Sequence, residues 1–395
     1  MSKLTRCLAA LLWVSLCSIS IAEDDSPQAR AAAAITKLGG KVTFGGVDGK
    51  DAVRVYLGET QAADADLDNI RSLPQLEELS LAHTKITDAG VGALSGLTKL
   101  QALHLAETAV GDAGLKQLQG LVQLRLLGLK GSKVTDQGLE YLKGMTHLEW
   151  LGLRETRIGD AGLEHLKGLT QLPGISLGNT QITDAGLAYL SGMTHMTRLV
   201  LYKTSITDAG LQHLRGMAEL DTLDLRNSQV SDAGMETLAS LPHLQTLLLD
   251  GTQVGDEGVR RLAAGMKLLR GDALKEKQAV VPGVAAPKEL PELPGLSLSN
   301  TRITDAGLGH LSGLKSIKQL MLGGTAITDA GLAGLKDMQS LEILDLSSTA
   351  VTGAGLDALK GLARLRVLIL KGTKVTADGI KTLKEALPKL NVEFP

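Results

Sequence analysis

A phrase of the form L-x-L-x-x-T-x-I-T-D-A-G-L-x-x-L-x-G-L returns every 24 residues through most of this chain, and nothing else restricts its fold as much. The aspartate of the phrase marks the period at Asp88, Asp112, Asp136, Asp160, Asp184, Asp208, Asp232 and Asp256, and again at Asp305 and Asp329. Gly353 and Ala377 hold its place in the last two full units, and Asp64 fits one period upstream, in a variant opening unit built on Val55, Leu57 and Thr60. A unit this short cannot enclose a core. Its apolar residues are covered only by the units before and after it, so the chain must stack into a solenoid. Composition agrees: 46 glycines and only 2% aromatic residues suit a narrow core refilled with the same aliphatic side chains.

Each unit reads as strand, turn, short helix and return. The L-x-L step, as in Leu79-Ser80-Leu81, alternates with period two and predicts a short strand with one buried face. Three residues later a Thr or Ser (Thr84, Thr108, Ser132, Thr156) falls where the chain leaves the strand; an inward hydroxyl there would satisfy turn backbone that stacking strips of water. Thr87-Asp88 predicts an N-cap with the carboxylate at the helix start, Leu94 and Leu97 cover the core, and Gly96 and its copies end the helix.

These residues carry a resemblance. The chain resembles the leucine-rich-repeat family, and its ITDAGL phrase is similar to the cysteine-containing subclass, with Thr or Ser where that subclass has Cys or Asn, as in bacterial exported proteins built of such units. The resemblance covers about residues 53–395. It implies an α/β architecture, a right-handed horseshoe with parallel strands on the concave face and short helices outside. It also implies binding of other macromolecules through that concave face. No segment similar to the F-box carried by many intracellular relatives is visible in the sequence.

The remaining organisation follows from departures from the period. Residues 1–22 have the pattern of a secretory signal peptide: Lys3 and Arg6, an apolar run from Leu8 to Ile21, then Ser20-Ile21-Ala22 before Glu23. That run is short for a membrane span, which needs about 20 residues. Both cysteines, Cys7 and Cys17, lie inside the signal segment 1–22, so a processed chain would hold no disulfide, and losing Lys3 and Arg6 would take the formal charge from −2 to −4. Residues 23–52 read as an N-terminal cap: a helix from Ser26-Pro27 to Leu38 closed by Gly39-Gly40, a strand Lys41–Phe44, and a turn Gly46–Lys50. Repeats then occupy 53–270 and 293–386, with a cap strand in 387–395. Between them, 271–292 reads as a degenerate repeat with a Pro-rich insertion (Pro282, Pro287, Pro291), because Asp256 to Asp305 is 49 residues, two periods plus one.

Catalytic patterns are missing from the sequence: no H-E-x-x-H, G-x-S-x-G or phosphate-binding Gly-Lys loop, and no cysteine beyond residue 17. A row of aspartates along the stack is expected to serve helix starts rather than calcium. His83 and His104 beside Glu78 and Glu107 offer metal-ligand chemistry, but an ordinary solvated face explains them as well, and no cofactor is expected. What varies between repeats is more informative. On the expected concave face the central units present Leu126, Lys130, Trp150, Arg154, Arg198, Tyr202, Lys203 and Arg226, whereas Ser297, Ser299, Gly323, Ser347 and Gly372 make the later face small and bland. Aromatics with arginines in a concavity are common interface anchors. The expectation is a non-enzymatic exported protein, periplasmic or secreted, that binds a protein or glycan. Neither nucleic-acid binding nor a membrane span after signal cleavage is expected. The alternative is a self-associating scaffold of the cell envelope.

Overall fold

The computed structural model describes residues 26–45, 51–267 and 293–394. The signal segment 1–22, the turn expected at 46–50 and the interval 271–292 lie outside them. A helix α1, Pro27–Lys37, opens the described chain: Ser26 caps it by accepting from the Ala29 N–H at 3.1 Å, and it buries Ala31, Ala32 and Ile35. Gly39, at φ +85, turns the chain into β1 (Lys41–Gly45), which pairs antiparallel with β2 (Asp51–Tyr56).

From β2 onward every pairing is parallel, and the described strands form one sheet in chain order. The rungs are β3 (Glu78–Ser80), β4 (Ala102–His104), β5 (Leu126–Gly128), β6 (Trp150–Gly152), β7 (Gly174–Ser176), β8 (Arg198–Val200), β9 (Thr222–Asp224), β10 (Thr246–Leu248), β11 (Gly295–Ser297), β12 (Gln319–Met321), β13 (Ile343–Asp345), β14 (Val367–Ile369) and β15 (Asn391–Glu393). Register never slips: Leu127 pairs with Leu151, Leu151 with Ile175, Ile175 with Leu199, and each of these central residues is fully buried. The residue on either side of each points to the opposite face. Short helices, α in Asp160–Leu166 and Asp184–Leu190 but 3-10 in Asp136–Leu142, supply the other wall of the core through pairs such as Leu163 and Leu166. Strands stack about 4.8 Å apart, while packed helices need about 8–10 Å, so the sheet takes the inner, concave side.

The hydroxyl row behaves as its position predicts. Thr108, Thr204 and Thr325 are buried, and each Oγ1 donates to the carbonyl of the second strand leucine at 2.7, 2.6 and 2.6 Å. Ser132 and Ser228 are the exceptions, with buried hydroxyls that have no partner. A serine lacks the γ-methyl that restricts a threonine rotamer. Ser132→Thr, flanked by Thr108 and Thr156 in the same pose, is therefore expected to stabilise the protein by about 0.5–1.5 kcal/mol, the net value of one such bond. Chemical denaturation checks this, and an unchanged or lower midpoint would contradict it.

The aspartate row departs from expectation. Thr87 is the cap, accepting from the Ala89 N–H at 3.2 Å. The carboxylates instead reach across to the following repeat. Asp184 Oδ1 accepts from the Thr207 N–H at 2.8 Å and Asp184 Oδ2 from the Thr207 hydroxyl at 2.5 Å, and the same pair of bonds joins Asp112 to Thr135 and Asp160 to Thr183. Where the following repeat has glycine the hydroxyl bond is lost: Asp136 accepts from the Gly159 N–H, and Asp88 from the Gly111 and Gly114 N–H groups. The carboxylate still lies at the positive end of its own helix, but its bonds run along the stack. Gly96 and its copies are also not left-handed caps; the chain leaves the short helix still in right-handed geometry at Ser95, so no inversion is required there.

The ladder passes straight over the interruption. Leu247 pairs with Leu296, so no rung from 271–292 stands between β10 and β11. Asp256 reaches Thr304, 48 residues on, where Asp184 reaches Thr207, 23 residues on. The difference of 25 equals the undescribed stretch 268–292, and Leu293 supplies the buried residue that Leu220 and Leu244 supply in earlier units. The helix Asp256–Lys267 before the interval packs against Asp305–Leu311 after it, which makes the two repeat blocks one stack.

Candidate binding face

Of the eight residues singled out from the sequence, Trp150 meets Arg198, Tyr202 meets Arg226, and Lys130 and Tyr202 share Glu155, while Leu126 adjoins Trp150 by strand pairing and Arg154 and Lys203 are exposed. Outward residues of successive rungs form rows. Leu126, Trp150, Gly174 and Arg198 share one row by direct pairing. Gly174 has no side chain, and the Trp150 ring lies over it: a Cβ added there would come within 2.5 Å of Trp150 Cε3. The Arg198 guanidinium completes the stack, 5.8 Å from the ring centroid. A second row, just after the strands, runs Lys130, Arg154, Gly178, Tyr202 and Arg226. Here the next ring leans the other way, and a Cβ on Gly178 would run into the Tyr202 ring. Two aromatic rings from neighbouring repeats thus lie down over one repeat that has no side chains of its own at these positions.

Polar contacts fix the second ring. Tyr202 Oη donates to Glu155 Oε1 at 3.0 Å, and Arg226 lies 5.8 Å from the ring centroid. Lys130 bridges Glu107 at 3.0 Å and Glu155 at 3.4 Å, and Arg226 forks onto Asp224 at 2.9 and 2.6 Å. Burial and the Glu155 carboxylate raise the Tyr202 phenol above its ordinary pKa, against the pull of Arg154 and Lys130. Lys130 and Arg226 are raised chiefly by their hydrogen bonds to Glu107 and Asp224. These three carboxylates did not stand out in the sequence as members of this site; their only signal was position, next to the varied row. Gly174 and Gly178 were missed for the opposite reason, since a glycine among many gives no sign that two rings need its place.

The patch is therefore less basic than its composition suggests. Lys130 and Arg226 are neutralised in place, whereas Arg154, Arg198 and Lys203 make no ion pair with any described residue. His83 and His104 do lie at the concave side, but no group of three or more His, Cys, Asp or Glu among the described residues is placed to hold a metal ion. Burial lowers the pKa of His104, against the pull of Glu78. The later face is not uniformly bland either: Met321, Ile343, Val367 and Ile369 stand half-buried on β12–β14, at x positions the sequence reading passed over.

Leucine-rich-repeat family models match residues 69–134, 220–239, 240–263 and 337–360, in both repeat blocks. The repeat, the parallel ladder and these matches agree. The chain is a leucine-rich-repeat protein. Its fold is similar to that of an internalin from Listeria monocytogenes, with TM-score 0.59 and 21% identity over 90% of this chain and 98% of that one. Weaker likenesses join it to a Leptospira interrogans leucine-rich-repeat protein (TM-score 0.46, 17% identity, 82% of this chain and 92% of that one). A plant peptide hormone receptor in complex with its peptide gives TM-score 0.46 and 15% identity, over 82% of this chain and 52% of that one. No curated protein matches the sequence significantly. At these identities the likeness concerns the fold, so what the leucine-rich-repeat protein binds has to be argued from its own surface. No described helix is long and apolar enough to cross a membrane.

Proposed function

We propose that this leucine-rich-repeat protein is a non-enzymatic binding module that takes a protein partner on the concave face around Trp150 and Tyr202. One observation carries the reading: two rings from the repeats on either side lie over Gly174 and Gly178, with Arg198 against the Trp150 ring and Arg226 against the Tyr202 ring. Trp, Tyr and Arg dominate binding energy when they sit in fixed surroundings, because little side-chain entropy is left to lose. The network consumes its own carboxylates in positioning, which suits recognition and leaves no acid–base pair aimed at a substrate. Export through the segment from Lys3 to Ala22 belongs to the same proposal, and rests on that sequence pattern.

The test is capture from cell-envelope extract on immobilised protein, with Trp150→Ala/Arg154→Ala as the variant and His310→Ala, on the helix side, as the control. The expected result is a protein partner retained by the control and lost, about tenfold or more in affinity, by the double variant with an unchanged circular dichroism spectrum. Equal capture by the folded double variant rejects this face. Self-association that does not depend on Trp150 or Arg154 would favour a scaffold instead.

A further inference from the structure

We infer that the concave face over β6–β8 receives an acidic peptide segment, with Arg154, Arg198 and Lys203 taking its carboxylates around the Trp150 and Tyr202 rings. This rests on the binding face proposed above and assigns its chemistry. The charged groups of the face divide into two sets. Glu107, Glu155 and Asp224 are already engaged by Lys130, the Tyr202 hydroxyl and Arg226, so a basic partner would have to break bonds that the protein has made. Arg154, Arg198 and Lys203 have no counter-ion among the described residues, so an acidic partner breaks nothing.

One of these cations is also placed by a neighbouring ring. The Arg198 guanidinium lies over the Trp150 ring, 5.8 Å from its centroid, and its N–H groups remain open to the two-point contact that a carboxylate offers. Lys203 occupies the left-handed position just before the buried hydroxyl, at φ +52. The repeat sets this backbone in every unit, with Gly131, Asn179 and Gly251 there in some and Glu59, His83, Glu107 and Ser348 in others, so only the side chain distinguishes Lys203. Glu155, also left-handed at φ +61, uses its side chain on Tyr202 and Lys130, whereas Lys203 makes no ion pair with a described residue.

Space is available as well. Strands β6 and β8 are two rungs apart, about 9–10 Å. Between them β7 and its turn present Gly174, Ser176 and Gly178 beneath the rings, with Asn179 at the position of Lys203, so an extended chain can lie between Arg154 and Lys203. Asp224 and Asp250 close the cationic stretch on its C-terminal side and confine the acidic segment to these rungs.

Titration calorimetry of the full chain with oligoglutamate and oligolysine tests the assignment, with Trp fluorescence compared against Trp150→Phe as a local reporter. Oligoglutamate is expected to bind saturably, more weakly as salt rises, and to change an emission that Trp150→Phe does not show. Arg198→Ala and Arg154→Ala/Lys203→Ala should each weaken it about tenfold or more, as removal of close charge pairs does. Arg154→Glu/Arg198→Glu should bind oligolysine instead, a gain that misfolding cannot mimic. Preference of the unaltered protein for oligolysine, no binding of oligoglutamate, or binding indifferent to these substitutions overturns the assignment. If that happens while Trp150→Ala/Arg154→Ala still loses its envelope partner, the face stands and only the acidic chemistry falls. If that variant keeps its partner too, both readings fall.

Discussion

Asp184→Ala lowers the stability of the stack around β7 to β9 by about 3 kcal/mol, the sum expected for two hydrogen bonds to a charged acceptor of which one leaves a backbone donor unpaired. The two bonds run to the Thr207 N–H and hydroxyl. That hydroxyl also caps its own helix by accepting from the Ala209 N–H at 3.2 Å, so losing the aspartate loosens the cap of the next unit as well. In a linear stack each repeat touches only its neighbours, so the effect should be local rather than a uniform drop. Amide hydrogen exchange is the appropriate readout, since a long repeat array need not unfold in one step. Faster exchange from Thr207 to Leu211, with little change near β13 and β14, is the expected pattern. Asp184→Asn keeps one acceptor and should lose less. Unaltered exchange across the 207–211 turn would mean that the carboxylate ladder contributes nothing.

The second large effect separates two glycines six residues apart. In Gly162→Ala the new methyl would lie 2.5 Å from Asp136 Oδ1 and 3.1 Å from both Ile158 Cγ2 and Leu139 Cδ1. The carboxylate cannot move aside without giving up the Gly159 N–H that it holds at 2.7 Å, and the two aliphatic neighbours belong to the core. A loss of about 1–3 kcal/mol is expected, the usual penalty for overpacking. Gly168→Ala meets nothing within 4 Å, and its backbone is not left-handed. There the smaller entropy of the unfolded chain should raise stability by about 0.4–1 kcal/mol. Opposite signs in denaturant melts would show that the glycine of the DAG phrase is kept for the aspartate of the previous repeat. The same sign for both would remove that explanation.

Much of this architecture was legible because a 24-residue period leaves few choices. The alternation at Leu79-Ser80-Leu81 fixed which residues turn inward, and with it the outward rows that carry Trp150, Arg154 and Tyr202. The Ser26-Pro27 start of α1 and the buried threonines were readable for the same local reason. Local patterns were weaker where a residue's partner lies in another repeat. Asp88 sits beside Thr87 in sequence, yet the carboxylate serves Gly111 and the hydroxyl caps the helix. Residues 271–292 read as a degenerate repeat with an insertion, whereas the ladder pairs β10 directly with β11, since a count of residues does not reveal which strand a hydrogen-bond ladder selects.

The sequence by itself therefore determined that this chain must be a stacked repeat, which residues fill its core, and which residues face outward. Period and alternation are properties of a single unit copied many times, and they survive without knowledge of the whole. Only the tertiary structure decided how the outward residues divide: Glu107, Glu155 and Asp224 spent on positioning, Trp150 and Tyr202 laid over Gly174 and Gly178, and Arg154, Arg198 and Lys203 left over. Apart from Arg226 with Asp224, those relations join residues 23–25 or 47–48 positions apart along the chain. They depend on which way each side chain leans between rungs about 4.8 Å apart, and that direction is set by the packing space the neighbouring repeat leaves open.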